Sequence, residues 1–242
     1  MKTTKIEWTE RTWNPITGCS KISEGCVHCY AENMSLRLHA MGNLKYASGF
    51  NLMIHPESLN EPLSWYKPAT IFVCSMSDLF HKDVPFEFID RIMLTIQKTP
   101  RHKYQILTKR AGRMREYFSS RPVPSNVWLG VTVETSNVKE RIDCLRDLPA
   151  KVKFLSCEPL LSDLGTIDLT GINWIIVGGE SGTQARPMKE SWVLNIKSQA
   201  EVHNIPFFFK QWGTWGADGI KRNKKLNGKL LQGDIVQQIP KL

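Results

Sequence analysis

The chain has 242 residues, 41% of them hydrophobic and 23% charged. That balance excludes a wholly disordered chain, and the length suits an α/β fold with a substantial core. Thirty-two Lys and Arg stand against 23 Asp and Glu, and the resulting +9 favours anionic partners such as nucleic acid, nucleotides or phosphate esters. Six cysteines are too few for a disulfide scaffold. No apolar run approaches the roughly 18 residues of a membrane span, and Met1–Glu7 carries no apolar leader segment. The expectation is a cytoplasmic protein with reduced thiols and no membrane association.

In chain order, a short strand is expected near Trp13–Thr17 and a helix from about Tyr30 to Met41. Residues 42–69 have no clear period and carry Gly42, Gly49, Pro56, Pro62 and Pro68, so they read as an insertion packed on the main fold. Apolar, β-branched or aromatic runs then predict strands at Thr70–Cys74, Lys103–Leu107, Val127–Val133, Lys151–Ser156, Trp174–Val177 and Pro206–Phe209. Helical periodicity falls between them. Phe86–Gln97 aligns Phe86, Ile89, Met93 and Ile96. Arg110–Phe118 is a shorter helix. Ser136–Leu148 aligns Val138, Ile142 and Leu145, and Ser191–His203 aligns Trp192, Ile196 and Ala200.

Strand and helix in alternation mean βαβ units and a parallel sheet. The expected fold is α/β: a partial, TIM-like (β/α) barrel of six or seven parallel strands. A doubly wound sheet is the competitor. The barrel would span residues 1–213, followed by a basic extension at 214–242. That extension holds Lys221, Arg222, Lys224, Lys225, Lys229 and Lys241 against Asp218 and Asp234, close to half of the excess positive charge, so it is where an anion would be met.

In parallel α/β folds ligands bind at the carboxyl ends of the strands. Those ends read Ser75-Met76-Ser77-Asp78, Thr108-Lys109-Arg110, Thr132-Val133-Glu134, Ser156-Cys157-Glu158, Gly178-Gly179-Glu180-Ser181 and Lys210-Gln211. Six polar or ionisable ends converging on one rim point to an active site.

Cys19, Cys26 and Cys29 form a C-x6-C-x2-C cluster just after the first strand and before the first helix. Thiolates suit zinc or iron–sulfur clusters. A structural zinc site would need a fourth ligand, His28 or His39. Three thiolates on a four-iron cluster instead leave one iron open to a ligand. Cys74, Cys144 and Cys157 lie far away in sequence and read as ordinary buried thiols, with Cys157 a partial exception because it shares a strand end with Ser156 and Glu158.

A three-cysteine loop after the first strand, ahead of a barrel with polar strand ends, resembles the radical S-adenosylmethionine enzymes. More closely, the chain resembles a phage- and prophage-associated three-cysteine family of unassigned function. The resemblance rests on Trp13-Asn14-Pro15, Gly18-Cys19, Gly25-Cys26-Val27-His28-Cys29-Tyr30-Ala31-Glu32 and Ser75-Met76-Ser77-Asp78-Leu79-Phe80. It continues through Leu107-Thr108-Lys109-Arg110, Trp128-Leu129-Gly130-Val131-Thr132-Val133-Glu134 and Phe154 to Leu161, and ends with Gly178-Gly179-Glu180-Ser181-Gly182 and Phe208-Phe209-Lys210-Gln211-Trp212-Gly213.

That resemblance implies a [4Fe-4S] cluster on Cys19, Cys26 and Cys29. It implies S-adenosylmethionine held by His28 at the adenine and by Ser75, Ser77 and Asp78 at the amino group. Lys109 or Arg110 would take the cofactor's carboxylate, Thr132 and Glu134 the ribose, and Gly178 and Gly179 would let the backbone approach the adenine. Reductive cleavage of the cofactor would start hydrogen abstraction on a nucleic-acid or nucleotide substrate. Cys157 would return a hydrogen atom, and Glu158 and Glu180 would orient substrate or move protons, unless they are ion-paired with Lys109 or Lys210. An electron donor such as a flavodoxin or ferredoxin, and a partner protein, are the implied partners. The pattern departs from the commonest radical spacing, with six residues between the first two cysteines instead of three, and it lacks a glycine-rich acidic motif after the second strand.

Two other functions compete. One is a zinc- or cluster-stabilised nucleic-acid-binding protein without catalysis, with Trp8, Trp13, Trp128, Trp212 and Trp215 as stacking surfaces. The other is a carboxylate-metal enzyme using Glu134, Glu158 and Glu180. The barrel rim argues against the first, and soft cysteine ligands argue against the second.

Overall fold

A computed structural model describes residues 4–241, so the leader-free reading of residues 1–7 falls partly outside it. The chain is a mixed α/β protein. Its strands are β1 (Arg11–Trp13), β2 (Ile16–Thr17), β3 (Met53–Ile54), β4 (Thr70–Val73), β5 (Lys103–Thr108), β6 (Val127–Thr132), β7 (Val152–Cys157), β8 (Trp174–Gly178), β9 (Phe207–Gln211), β10 (Leu230–Leu231) and β11 (Asp234–Ile235). Its helices are α1 (Tyr30–Ala40), α2 (Phe86–Gln97), α3 (Ala111–Phe118), α4 (Glu140–Arg146), α5 (Glu190–Val202) and α6 (Lys224–Asn227). Seven strands form one all-parallel sheet in the order β1-β4-β5-β6-β7-β8-β9. That sequential order is the one a partial (β/α) barrel requires, as the alternation predicts, and a doubly wound sheet would reverse direction partway. None of the described helices is long and apolar enough to cross a membrane.

The chain divides into two units. The first holds Met1–Ile22, Cys29–Gly130 and Asp147–Lys151. In it β1, β4 and β5 pair in parallel, with Trp13 opposite Val73 and Val73 opposite Ile106. Helix α2 buries Phe88, Ile89, Ile92, Met93 and Ile96, the stripe that a 3.6-residue period dictates. The expected first strand is two strands: β1 joins the large sheet, while β2 pairs antiparallel with β3. Residues 42–69 supply β3 and three short 3-10 turns. They are tied to the β1–β2 segment by the Trp13 indole donating to the Ser58 carbonyl (2.8 Å) and by the Thr17 hydroxyl against His55 Nε2 (2.8 Å).

The second unit holds Ser23–His28, Val131–Arg146 and Val152–Leu242. Every residue of β8 is buried, as expected of a strand covered on both faces. Residues 214–241 do not trail from the fold. The Phe209 N–H donates to the Val236 carbonyl and the Gln238 N–H to the Phe207 carbonyl, so residues 236–238 run along β9 and cover its edge. The Trp212 indole donates to Leu230, and the Trp215 indole to Ala185.

Trp8, Trp13, Trp128 and Trp212 are all buried, so these four are core residues rather than stacking surfaces; Trp215 is half-buried with Lys221 over its ring.

Candidate functional site

In the first unit, a hydrogen-bonded network forms where β4 and β5 end. Gly18 makes a parallel bridge with Ser77, and its N–H donates to the Met76 carbonyl (3.1 Å). Gly18 sits at φ +75°, and a Cβ there would lie 2.1 Å from the Asn51 carbonyl oxygen, so no other residue fits. The next residue is Cys19, whose N–H donates to Phe50. The Arg110 guanidinium donates to Cys19 Sγ (3.5 Å), to Asp78 Oδ2 (3.1 Å) and to the Ser20 carbonyl and hydroxyl (2.9 and 3.0 Å). Ser20 in turn meets His81 Nε2 at 2.7 Å. Burial, then the Asp78 charge, pushes the Cys19 thiol up, while Arg110 pulls it down. A cavity of about 520 Å³ opens beside Cys19, lined among others by Lys21, Glu32, Phe50 and Asn51.

Asp78 is buried, and both its oxygens are occupied. Oδ1 accepts from the Phe80 N–H (3.0 Å) and the Thr108 hydroxyl (2.7 Å), and Oδ2 from the Lys109 N–H (3.1 Å) and Arg110. The expected ammonium acceptor is thus the hub that joins the ends of β4 and β5. Ser75 donates to Asn14 Oδ1 (3.1 Å) and Ser77 to the Ile16 carbonyl (2.9 Å), so the two serines stitch β4 to the β1–β2 segment. Lys109 enters the network through its backbone, and the side chain that reaches Cys19 is that of Arg110.

In the second unit, residues Glu24–Cys26 form a 3-10 turn. Glu134, fully buried at the end of β6, accepts from the Ser23 hydroxyl and the Gly25 N–H (3.4 Å) through Oε1, and from Arg141 (2.9 Å) through Oε2. The same Arg141 donates to the Thr132 carbonyl (2.9 Å). At the end of β8, Glu180 is held by Arg186 in a two-pronged pair (2.6 and 2.9 Å), and Arg186 also donates to the Glu24 carbonyl (3.0 Å). His28 Nδ1 is buried 3.6 Å from Glu180 Oε2, beyond hydrogen-bond reach.

Glu158 is paired with Lys210, the ion pair that sequence allowed for it, whereas Glu180 takes Arg186, a partner not foreseen. Cys157 is fully buried, and burial pushes its thiol up to about 12, where it stays protonated. Gly178 and Gly179 are closed in by the chain itself: a Cβ on Gly178 would meet the Glu158 side chain at 3.3 Å, and one on Gly179 the Trp212 carbonyl at 1.8 Å.

Burial pushes the Glu180 carboxyl up, but the Arg186 hydrogen bonds outweigh it and leave the group below the ordinary carboxylate value. A depressed carboxylate adds stability that is present above its unfolded pKa and lost as pH falls through the folded one. Glu180→Gln should therefore be less stable than the parent at neutral pH, with the gap narrowing below about pH 4. Urea unfolding at pH 7, 5 and 3.5 checks this, and a gap that widens on acidification would contradict it.

Compared with known families, residues 3–240 match the model of a family described as "Protein of unknown function (DUF5131)". The chain belongs to this family. No curated protein and no solved structure matches it.

All three clustered cysteines of this DUF5131 chain are free and half-buried. Among the described residues, no three His, Cys, Asp or Glu side chains stand together as a group that could hold a metal ion. Arg141, Arg186 and Ser23 are the site residues that sequence reasoning missed. Their partners are distant or separated by irregular loops, so no spacing signals them.

Proposed function

We propose that this chain is an iron–sulfur radical S-adenosylmethionine enzyme of the cytoplasm, of phage or prophage association, acting on nucleic acid or a nucleotide. The observation that carries the reading is the anchoring of the cysteine-bearing segment at carboxyl strand ends. In the first unit Gly18 and Ser20 are tied to residues following β4 and β5. In the second, Ser23, Glu24 and Gly25 are tied to side chains at or beyond the ends of β6 and β8. That is the rim where α/β folds place their chemistry.

The donor set fits a cluster. Cys19, Cys26 and Cys29 are three free thiols with no competing disulfide, and Cys19 borders a cavity. These three cysteines are the residues that would hold the cluster. When bound, the cluster supplies the electron for cleaving S-adenosylmethionine. The chain's own residues set its surroundings: Arg110 donates to the Cys19 sulfur, and the Glu24–Cys26 turn is pinned by Glu134 and Arg186. Glu158 and Glu180, each already paired with a cation, suit orientation of a substrate better than proton transfer.

Anaerobic reconstitution tests this. The expected product is brown, carries about four irons per chain and bleaches on reduction. With S-adenosylmethionine and a reductant it yields deoxyadenosine, and Cys26→Ala loses both signals. A colourless protein with one tightly held zinc would overturn the proposal in favour of a zinc-stabilised nucleic-acid-binding protein.

A further inference from the structure

The Ser23–Cys26 turn has an unusual basis. None of the residues of the Glu24–Cys26 turn is buried, and a three-residue 3-10 turn has little persistence of its own. Burial of apolar surface therefore does little to hold it in place. What holds it is charge. The Glu134 carboxylate, fully buried and neutralised by Arg141, takes the Ser23 hydroxyl and the Gly25 N–H on its remaining oxygen. Arg186, locked on Glu180, takes the Glu24 carbonyl. Two buried carboxylates, each following a strand and each with its own arginine, are thereby tied, through Glu134 and Arg186, to Ser23, Glu24 and Gly25.

Burying an ion pair is costly, and a core of this size does not need one. A turn with no buried residue adds little to the core, so holding it is of use for what it presents. It presents Cys26, whose N–H closes the turn on the Ser23 carbonyl (2.9 Å). Both Glu134 oxygens are engaged by the chain itself, Oε1 twice and Oε2 once, in competition with the ribose hydroxyl that resemblance assigns to it.

We propose that Glu134, assisted by Arg186, is a positioning residue that holds the Ser23–Cys26 turn so that Cys26 is presented as a metal ligand. The ligand role rests on the cluster reading above; the holding of the turn does not.

Hydrogen exchange on the metal-free, full-length protein separates the two. Ser23→Ala removes one tie and leaves the Glu134–Arg141 pair intact, so the fold should survive with its melting temperature nearly unchanged. Amide exchange across residues 23–28 is expected to rise about tenfold in Ser23→Ala, the loss of one charge-assisted hydrogen bond, and by more in Arg186→Ala, which also strips Glu180 of its guanidinium partner. Ser23→Thr, which keeps the hydroxyl, should restore protection, and the distant Asp218→Asn should not change it. Anaerobic titration with cobalt(II), read by its thiolate absorption, should show about tenfold weaker binding in Ser23→Ala and parent-like binding in Ser23→Thr. Unchanged exchange in both Ser23→Ala and Arg186→Ala overturns the proposal. Faster exchange with unchanged cobalt affinity overturns the presentation of Cys26. A parent protein that takes up neither cobalt nor iron overturns the cluster reading and the ligand role with it, while the exchange rates still decide whether the turn is held.

Discussion

Asp78→Ala should lower the unfolding free energy by about 3–5 kcal/mol, the cost of removing one partner from a buried ion pair. The Asp78 and Arg110 side chains are 7% and 10% exposed, so solvent offers little relief. Removing the carboxylate strands the Phe80 and Lys109 N–H groups, the Thr108 hydroxyl and one arm of Arg110. Asp78→Asn keeps the shape and one good acceptor but turns a donor toward donors, so it should cost less, on the order of 1.5–3 kcal/mol. Urea unfolding measures both. The outcome also separates two roles. An aspartate waiting for a ligand's ammonium would leave stability nearly unchanged when removed and would change only binding. A hub that joins the ends of β4 and β5 destabilises the protein first. A loss below about 1 kcal/mol would show that the network does not carry the load its hydrogen bonds suggest.

The parallel sheet was readable because its strands are continuous apolar runs. Val127–Thr132 and Trp174–Gly178 are buried throughout, as strands covered on both faces are. Helix α2 has the bounds that its periodicity gives, Phe86–Gln97, although Phe86 itself is only half-buried and Phe88 and Ile92 join the core. Where period was weak, the reading was coarser. Ser136–Leu148 is a 3-10 turn followed by the shorter α4, and β3, β10 and β11 are two-residue strands with no pattern to see. The return of residues 236–238 along β9 rests on backbone hydrogen bonds, which leave no mark on side-chain composition.

The site divides the same way. Spacing points to Cys26 and Cys29 as a pair, and the strand ends single out Asp78, Glu134 and Glu180. Spacing does not show that Glu134 reaches Ser23, 111 residues back along the chain, or that Arg110 rather than Lys109 approaches Cys19. Pairing of a carboxylate with an arginine is decided by tertiary placement, and polar residues at a strand end look alike in sequence whether they await a ligand or hold a loop.

Gly179→Ala is the second large effect expected. The Cβ would sit 1.8 Å from the Trp212 carbonyl oxygen and 2.7 Å from its carbon, and both are backbone atoms with no rotamer to turn away. Relief requires separating the end of β8 from the segment after β9. There the Gly179 N–H donates to the Gln211 carbonyl (2.9 Å) and the Thr214 N–H to the Glu180 carbonyl (2.9 Å). The β8–β9 register already shifts between Val177 and Gly178, so the glycine lies beside a local break in the ladder that allows this close crossing. Overpacking of this kind costs roughly 3 kcal/mol or more, equivalent to a melting temperature lower by about 6–12 °C in a chain of this length. Gly178→Ala, whose Cβ meets only the Glu158 side chain at 3.3 Å, should cost much less, since a side chain can shift where a backbone cannot. Thermal unfolding of the two variants side by side is the measurement. If the glycine pair instead served to admit a planar ring, the two substitutions would impair ligand binding alike and leave melting nearly unchanged. The geometry predicts the reverse: Gly179 is required because the chain itself fills the space a side chain would take.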